Sequence, residues 1–209
     1  MKEFRVSSSS RSVPVNQLIR VNILRATFVL SLPLAICAVS PWSGLVRETM
    51  NVAGIGLVVA AVLGRFWSIL YIGGHKNMTV MQDGPYSICR HPLYLFSTIG
   101  VLGFGLMLGS VVLTLFLGGM TLAILSITAR KEEAFLRGQF GPTYDAYAAR
   151  VPMIVPRLSG FKTQATVVVS VHHLRHNLMD ALVFLTFIPL ARLLDHVQAM
   201  EIFPSFSIW

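Results

Sequence analysis

From Leu93 to Thr128 the chain runs for 36 residues without one Asp, Glu, Lys, Arg or His. At a rise of about 1.5 Å per residue, one helix of that length would reach about 54 Å, far more than a hydrocarbon core of about 30 Å. The stretch has to fold back on itself, and Gly109-Ser110 near its middle marks the turn of a tight helical hairpin. Three more apolar segments flank it, from about Val21 to Ser40, Asn51 to Ile72 and Asn177 to Val197. Arg65 interrupts the second, and the last carries Asp180 near one end and Arg192 near the other. The expected fold class is all-α: a polytopic integral membrane helical bundle of about five transmembrane helices. Residues 1–16 form a polar tail, 17–72 the first two membrane helices, 73–160 a motif-bearing core with the hairpin, and 161–209 a C-terminal extension with a fifth membrane helix.

Composition agrees. Of the 209 residues 54% are hydrophobic and 12% charged, about half the charged share of a soluble domain. Such a chain is not disordered, and two cysteines, Cys37 and Cys89, do not make a disulfide scaffold. In a soluble protein a net charge of +8 would point to nucleic acid. Here 14 of the 17 Lys and Arg fall in residues 1–25, 73–92 and 129–176, the pieces that share one side of the membrane in this layout. The positive-inside rule makes that side cytoplasmic, so the N-terminus and the polar chemistry face the cytoplasm of an inner or plasma membrane. No nucleic-acid partner is expected. The first apolar segment starts too far into the chain, and without a small-residue cleavage site, to read as a cleaved signal peptide. Gly54, Gly56 and Gly64 in the second span, and Gly100, Gly103, Gly105 and Gly109 in the third, read as places where helices pack closely; room for a flat lipid or cofactor group is the other reading.

Two polar blocks carry the chemistry. The first is HKNMTVMQDGPYSICRHPLY, His75 to Tyr94. Asp83-Gly84-Pro85-Tyr86 has turn composition, and Pro92 suits the first turn of the next helix. Arg90 and His91 then stand at a helix N-terminus, where free N–H groups and the helix dipole favour an anion and a guanidinium can grip a carboxylate or phosphate. The second block is RKEEAFLRGQFGPTYDAYAARVPMIVPR, Arg130 to Arg157. Glu132 and Glu133 end a membrane helix. Glu133 can pair with Arg137 at i,i+4, or the acids can bind a cation or ribose hydroxyls. Tyr144 and Tyr147 share a helical face suited to an aromatic pocket wall or an interfacial belt.

With these residues in view, GPYSICRHPLY resembles the G-x-Y-x-x-x-R-H-P-x-Y segment of the isoprenylcysteine carboxyl methyltransferase family. EEAFLRGQFGPTYDAYAARVP resembles its E-E-x-x-L-x-x-x-F-G-x-x-Y-x-x-Y-x-x-x-V-P segment, with looser spacing around Phe135, Leu136 and Arg137. Phospholipid N-methyltransferases are similar in the paired Glu. The resemblance spans roughly residues 69 to 157 and implies S-adenosylmethionine as cofactor, with a lipid or lipid-anchored acceptor entering from the bilayer. By the same resemblance the cofactor positions are Tyr86, Arg90, His91, Pro92, Tyr94, Glu132 and Glu133, with His75 as a weaker match. Arg150 falls near the reacting centre with Glu133 as the catalytic pair, and Tyr144, Tyr147 and Arg150 meet the substrate. A carboxylate acceptor needs only a cation to place it, Arg150 or Arg90; an amine acceptor needs a base, for which Glu132, Glu133 and His91 are candidates.

Other residues are open to either reading. His172, His173 and His176 have helical spacing for a metal, but they lack a close carboxylate or cysteine apart from Asp180, so no metal is expected. Arg65 is an intramembrane cation, functional by default unless it snorkels. Residues 161–209 have two readings, a cap over the substrate opening and a surface for oligomer contacts. The competing functions are an NADPH-dependent reductase of the steroid-reductase type and a non-enzymatic membrane scaffold. The latter would put polar residues at the bilayer midplane, whereas here they gather on one face.

Overall fold

The computed structural model describes residues 17–72, 79–167, 169, 171–200 and 202–207, with backbone alone for 17–19, 172, 173 and 176. The described helices are α1 (Gln17–Cys37), α2 (Gly44–Ile72), α3 (Pro85–Ile88), α4 (Pro92–Met107), α5 (Val111–Phe140), α6 (Pro142–Arg150), α7 (Val171–Leu182) and α8 (Phe187–Ala199). Two-residue strands, β1 (Ala38–Val39) and β2 (Phe206–Ser207), pair in parallel.

Four stretches are long and apolar enough to cross a membrane: Arg20–Cys37, Gly44–Ile72, Val111–Phe140 and Asn177–Ala199. The protein is a polytopic membrane helical bundle. α4 is a shorter apolar helix of 16 residues, about 24 Å long, and forms the first arm of the hairpin. α2 starts seven residues before the expected Asn51, because Arg47, Glu48 and Thr49 extend the helix rather than break it. The last pass is α7 and α8 joined by a 3₁₀ turn at Val183–Thr186. Pro189 in the first turn of α8 has no N–H for the Leu185 carbonyl, which accounts for the local change of winding.

The hairpin turns at Leu108–Ser110, as its sequence requires. Gly109 has φ 70°, a left-handed conformation that glycine adopts without strain, and the Ser110 hydroxyl accepts from Leu113 N at 3.1 Å to cap α5. Both arms leave this turn, yet α5 has 30 residues against 16 in α4. The difference of 14 residues makes α5 overhang α4 by about 21 Å, and the overhang carries Glu132 and Glu133.

α2 and α4 meet backbone to backbone. A Cβ on Gly54 would lie 2.5 Å from the Gly103 carbonyl oxygen, and one on Gly103 would lie 2.6 Å from that of Gly54. The glycines expected to serve packing do so here, while a Cβ on Gly56 would meet nothing within 4 Å. Towards the hairpin turn, Val58, Phe104, Met107, Leu108, Leu113 and Leu194 form the main core. Arg47 fastens this end, donating to the Met107 carbonyl and to Asp195, each at 2.7 Å, which holds the last helix on the bundle. Leu30, Leu63 and Leu115 are exposed on the outer faces, the positions that lipid covers.

Candidate functional site

The site is built at the end of the bundle opposite the hairpin turn. Gly84 (φ 59°) opens α3, and a Cβ there would strike the Tyr71 ring at 2.4 Å. Glycine lets the chain turn tightly against α2, and every residue from Gly84 to Cys89 is buried. The strand-like segment after α6 runs beside this turn. Arg90 N donates to the Pro152 carbonyl at 2.9 Å, His91 N to that of Met153 at 3.0 Å, and Arg157 N to that of Ile88 at 2.9 Å. The Tyr147 hydroxyl donates to the Tyr86 carbonyl at 2.8 Å. These bonds join the two polar blocks into one unit.

Charge is arranged around the paired acids. Glu133 is 4% exposed. Its Oε1 lies 2.8 Å from Arg90 Nε and 3.3 Å from His91 Nε2, and its Oε2 lies 3.4 Å from Arg137 Nη2. The Arg90 N–H is not aligned for a hydrogen bond to it, so this contact is an ion pair; Arg90 Nη1 donates to the Ala148 carbonyl at 2.6 Å. Glu132 turns the other way, its carboxylate 3.7 Å from Arg20 and 3.8 Å from His91 Nδ1. Arg20, from the start of α1, also donates to the Tyr94 hydroxyl at 2.6 Å. The His91 ring stacks on Tyr94, 5.3 Å between centroids and 6° between planes.

Beside this cluster lies a cavity of about 790 Å³, within the range of small-molecule sites. Arg20, Tyr86, Arg90, His91, Tyr94 and Glu132 form its polar end. The other end reaches between the membrane helices, walled by Phe28, Val101, Leu117, Leu125, Phe184 and Phe187. Arg65 stands between, donating to the Ser97 hydroxyl at 2.5 Å with its guanidinium 5.1 Å from the Phe184 ring. The Tyr86 hydroxyl is buried without a protein partner and belongs to a residue of the cavity wall. Buried polar groups nearly always have a partner, so this orphan donor fits a polar ligand.

The structure brings Tyr86, Arg90, His91, Pro92, Tyr94, Glu132, Tyr144 and Tyr147 together around the cavity, but it revises several expected roles. Glu133 is not among the wall residues. Neighbours on a helix point about 100° apart, so with Glu132 facing the cavity, Glu133 is turned away from it and pairs with Arg90 of the wall. Arg90 lines the cavity and at the same time holds Glu133 through Nε and the Ala148 carbonyl through Nη1. The main-chain N–H groups of Arg90 and His91 are taken by the segment after α6. Arg150 does not reach the cavity: it donates to the Gln82 side chain at 2.9 Å on another face. Three residues advance a helix by about 300°, so by Arg150 the face that buries Tyr144 has turned by about 120°. His75 lies outside the described residues, and so do the side chains of His172, His173 and His176. Among the described residues no group of three or more His, Cys, Asp or Glu is placed to hold a metal ion. Arg20 was missed as a site residue because its sequence context is that of a basic membrane flank.

Burial sets the protonation here. It pushes the phenols of Tyr86, Tyr144 and Tyr147 above their usual range, so they remain neutral hydrogen-bonding groups. Burial also pushes the Cys89 thiol up to about 12, the reverse of what a nucleophilic cysteine needs.

Comparison with known proteins gives three kinds of similarity. The phospholipid methyltransferase family model matches residues 49–143. The cobalt-zinc-cadmium resistance protein CzcN of Cupriavidus metallidurans is 35% identical over 170 residues, 79% of this chain and 77% of the relative. The nickel-cobalt-cadmium resistance protein NccN of Alcaligenes xylosoxydans xylosoxydans is 32% identical over 190 residues, 90% of this chain and 89% of the relative. The protein-S-isoprenylcysteine O-methyltransferase of Schizosaccharomyces pombe is 34% identical over 82 residues, 39% of this chain and 35% of the relative. No solved structure matches significantly.

Proposed function

The chain belongs to the phospholipid and isoprenylcysteine methyltransferase family of membrane proteins, and from that premise we propose that it transfers a methyl group from S-adenosylmethionine to a lipid or lipid-anchored acceptor. The observation that carries this reading is the two-ended cavity. One end is polar and ionic, suited to a water-soluble cofactor, and the other is apolar and lies between membrane helices. The motif-bearing end faces the cytoplasm in this reading, which is where most of the basic residues fall.

The wall residues fit the cofactor's chemistry. Arg20 suits a carboxylate, Glu132 an ammonium or ribose hydroxyls, the stacked His91 and Tyr94 rings a flat base, and the unpartnered Tyr86 hydroxyl a polar atom. When bound, S-adenosylmethionine supplies an electrophilic methyl group on a sulfonium. The protein's work is then to hold and exclude. Arg90 and Glu133 fix His91 and the end of α4 against α5. Leu117, Leu125 and Phe187 keep water from the apolar limb and accept the acceptor's lipid chain. Holding two reactants in register supplies on the order of 7–11 kcal/mol of the barrier, so the site needs alignment more than a strong acid or base.

The test is calorimetry on detergent-purified protein with S-adenosylhomocysteine and with NADPH, followed by radiolabelled methyl transfer across a lipid panel. Binding of the first ligand and label in an organic-soluble product support the reading. Binding of NADPH alone overturns it in favour of a reductase.

A further inference from the structure

A second recess adjoins the cavity, with Tyr147 in the wall of both, and its other residues have no part in the proposed reaction. It has a volume of about 250 Å³ and is lined by Arg150, Arg157 and Lys162, with Gln82, Ser87 and Gly160. Among the described residues none of the three cations is ion-paired to a carboxylate. Arg150 donates to Gln82 and to the Ala146 carbonyl, and Arg157 to the Arg150 carbonyl. The nearby Asp83 accepts from Gln164 at 3.1 Å. The lining of this recess therefore includes three basic residues, none of them ion-paired to a carboxylate among the described residues.

The same segment exposes apolar side chains. Val155 is 77% exposed, Leu158 74% and Phe161 51%, an arrangement that water disfavours. Their level relative to the membrane is fixed by α2. The Phe161 ring lies 6.1 Å from that of Trp67, and the Tyr71 and Thr163 hydroxyls are 2.6 Å apart. Trp67 is five residues before the end of α2 at Ile72, about 7.5 Å along the helix axis. Trp and Tyr mark the headgroup level of membrane helices. Phe161 thus lies level with Trp67, and Val155 and Leu158 are exposed on the same segment as Arg157.

We propose that the 150–162 segment is a membrane-interface anchor whose recess binds the phosphate of an anionic phospholipid, while Val155, Leu158 and Phe161 enter the same leaflet. The occupant is a bilayer lipid rather than a soluble anion, because the cationic recess and the exposed apolar side chains share one short segment. The anchor lies on the segment whose carbonyls accept from Arg90 N and His91 N, but it is not part of the cofactor site. It does not depend on the proposed methyl transfer.

The experiment is native mass spectrometry of the detergent-solubilised full chain with phosphatidylglycerol and with phosphatidylcholine. Wild-type protein should retain the anionic lipid preferentially, and R157Q/K162Q should lose about 30-fold of that preference. Lys131→Gln, a basic change on α5 outside the recess, should lose none. S-adenosylhomocysteine affinity, read separately, should be unchanged in both variants. Equal retention of the two lipids by wild type, or loss of preference in the Lys131 variant, overturns the proposal. Full competition by inorganic phosphate makes the recess a site for soluble anions and overturns the lipid assignment. If the double variant unfolds, Phe161→Trp provides the second test: brominated lipids in nanodiscs should quench added fluorescence from position 161, and absence of quenching overturns the insertion.

Discussion

Replacing Glu133 by alanine separates a residue that touches a ligand from one that holds other residues in place. Its side chain is 5% exposed and that of Arg90 12%, with 2.8 Å between charged atoms. Truncation leaves the Arg90 guanidinium buried with the Ala148 carbonyl as its remaining partner. Removing one member of a buried pair costs about 3–5 kcal/mol, because the other charge is left uncompensated. The Arg137 arm adds little: that side chain is 47% exposed, and an i,i+4 pair in solvent contributes about 0.3–0.5 kcal/mol. For a chain of this size the total corresponds to a fall in Tm of roughly 6–20 °C. Glu133→Gln keeps the shape and an acceptor but loses the charge, so its cost should fall nearer 1.5–3 kcal/mol, the worth of a hydrogen bond to a charged group. Arg137→Ala should be nearly silent. The assay is thermal unfolding in detergent followed by a thiol-reactive dye, with fully buried Cys89 as the reporter in a Cys37→Ser background. Affinity for S-adenosylhomocysteine is measured well below each Tm. If Glu133→Ala loses ligand affinity yet melts within a few degrees of wild type, Glu133 contacts the ligand directly and the positioning argument fails.

Three other outcomes follow from the geometry. Gly54→Ala and Gly103→Ala each place a Cβ within 2.6 Å of backbone oxygen on the partner helix and should lower Tm and the yield of folded protein, whereas Gly56→Ala should be neutral; equal effects would refute backbone-close packing of α2 on α4. The Cys89 thiol, raised to about 12, should resist maleimide in the native protein and gain no reactivity between pH 7 and 9.5, while labelling readily once denatured; native labelling that climbs over that range would refute it. Burial holds the protons of Tyr86, Tyr144 and Tyr147 above the ordinary phenol value, so above about pH 10 the unfolded chain ionises first and binds fewer protons than the folded one. Stability should therefore be complete below that pH and fall as pH rises beyond it; replacing Tyr86 by Phe should flatten the decline, and an unchanged slope would remove Tyr86 as a contributor.

What the sequence disclosed and what it hid have different physical roots. The hairpin was legible because the absence of charge over 36 residues allows one outcome in lipid, and the turn before α4 because Gly-Pro and Pro at a first helical position act locally. The pairing of Glu133 with Arg137 was legible as helical spacing. Arg20 was not: its partners Tyr94 and Glu132 are 74 and 112 residues further along the chain, and only the packing of α1 against the hairpin brings them near. Arg150 misled for a related reason, since shared spacing with Tyr144 and Tyr147 does not keep three residues on one face. The division between Glu132 and Glu133 is a matter of helix phase, and the hairpin sets that phase. Both arms leave the turn at Gly109, so the distance from Ser110 to Glu132 fixes which acid faces the cavity. One residue inserted there would rotate both carboxylates by about 100° and lift them about 1.5 Å, taking Glu133 off Arg90 and Glu132 off Arg20 together. The charge-free length of the hairpin is therefore part of the site as well as a membrane anchor: it acts as the ruler that holds the acids of the second block against the Arg-His of the first.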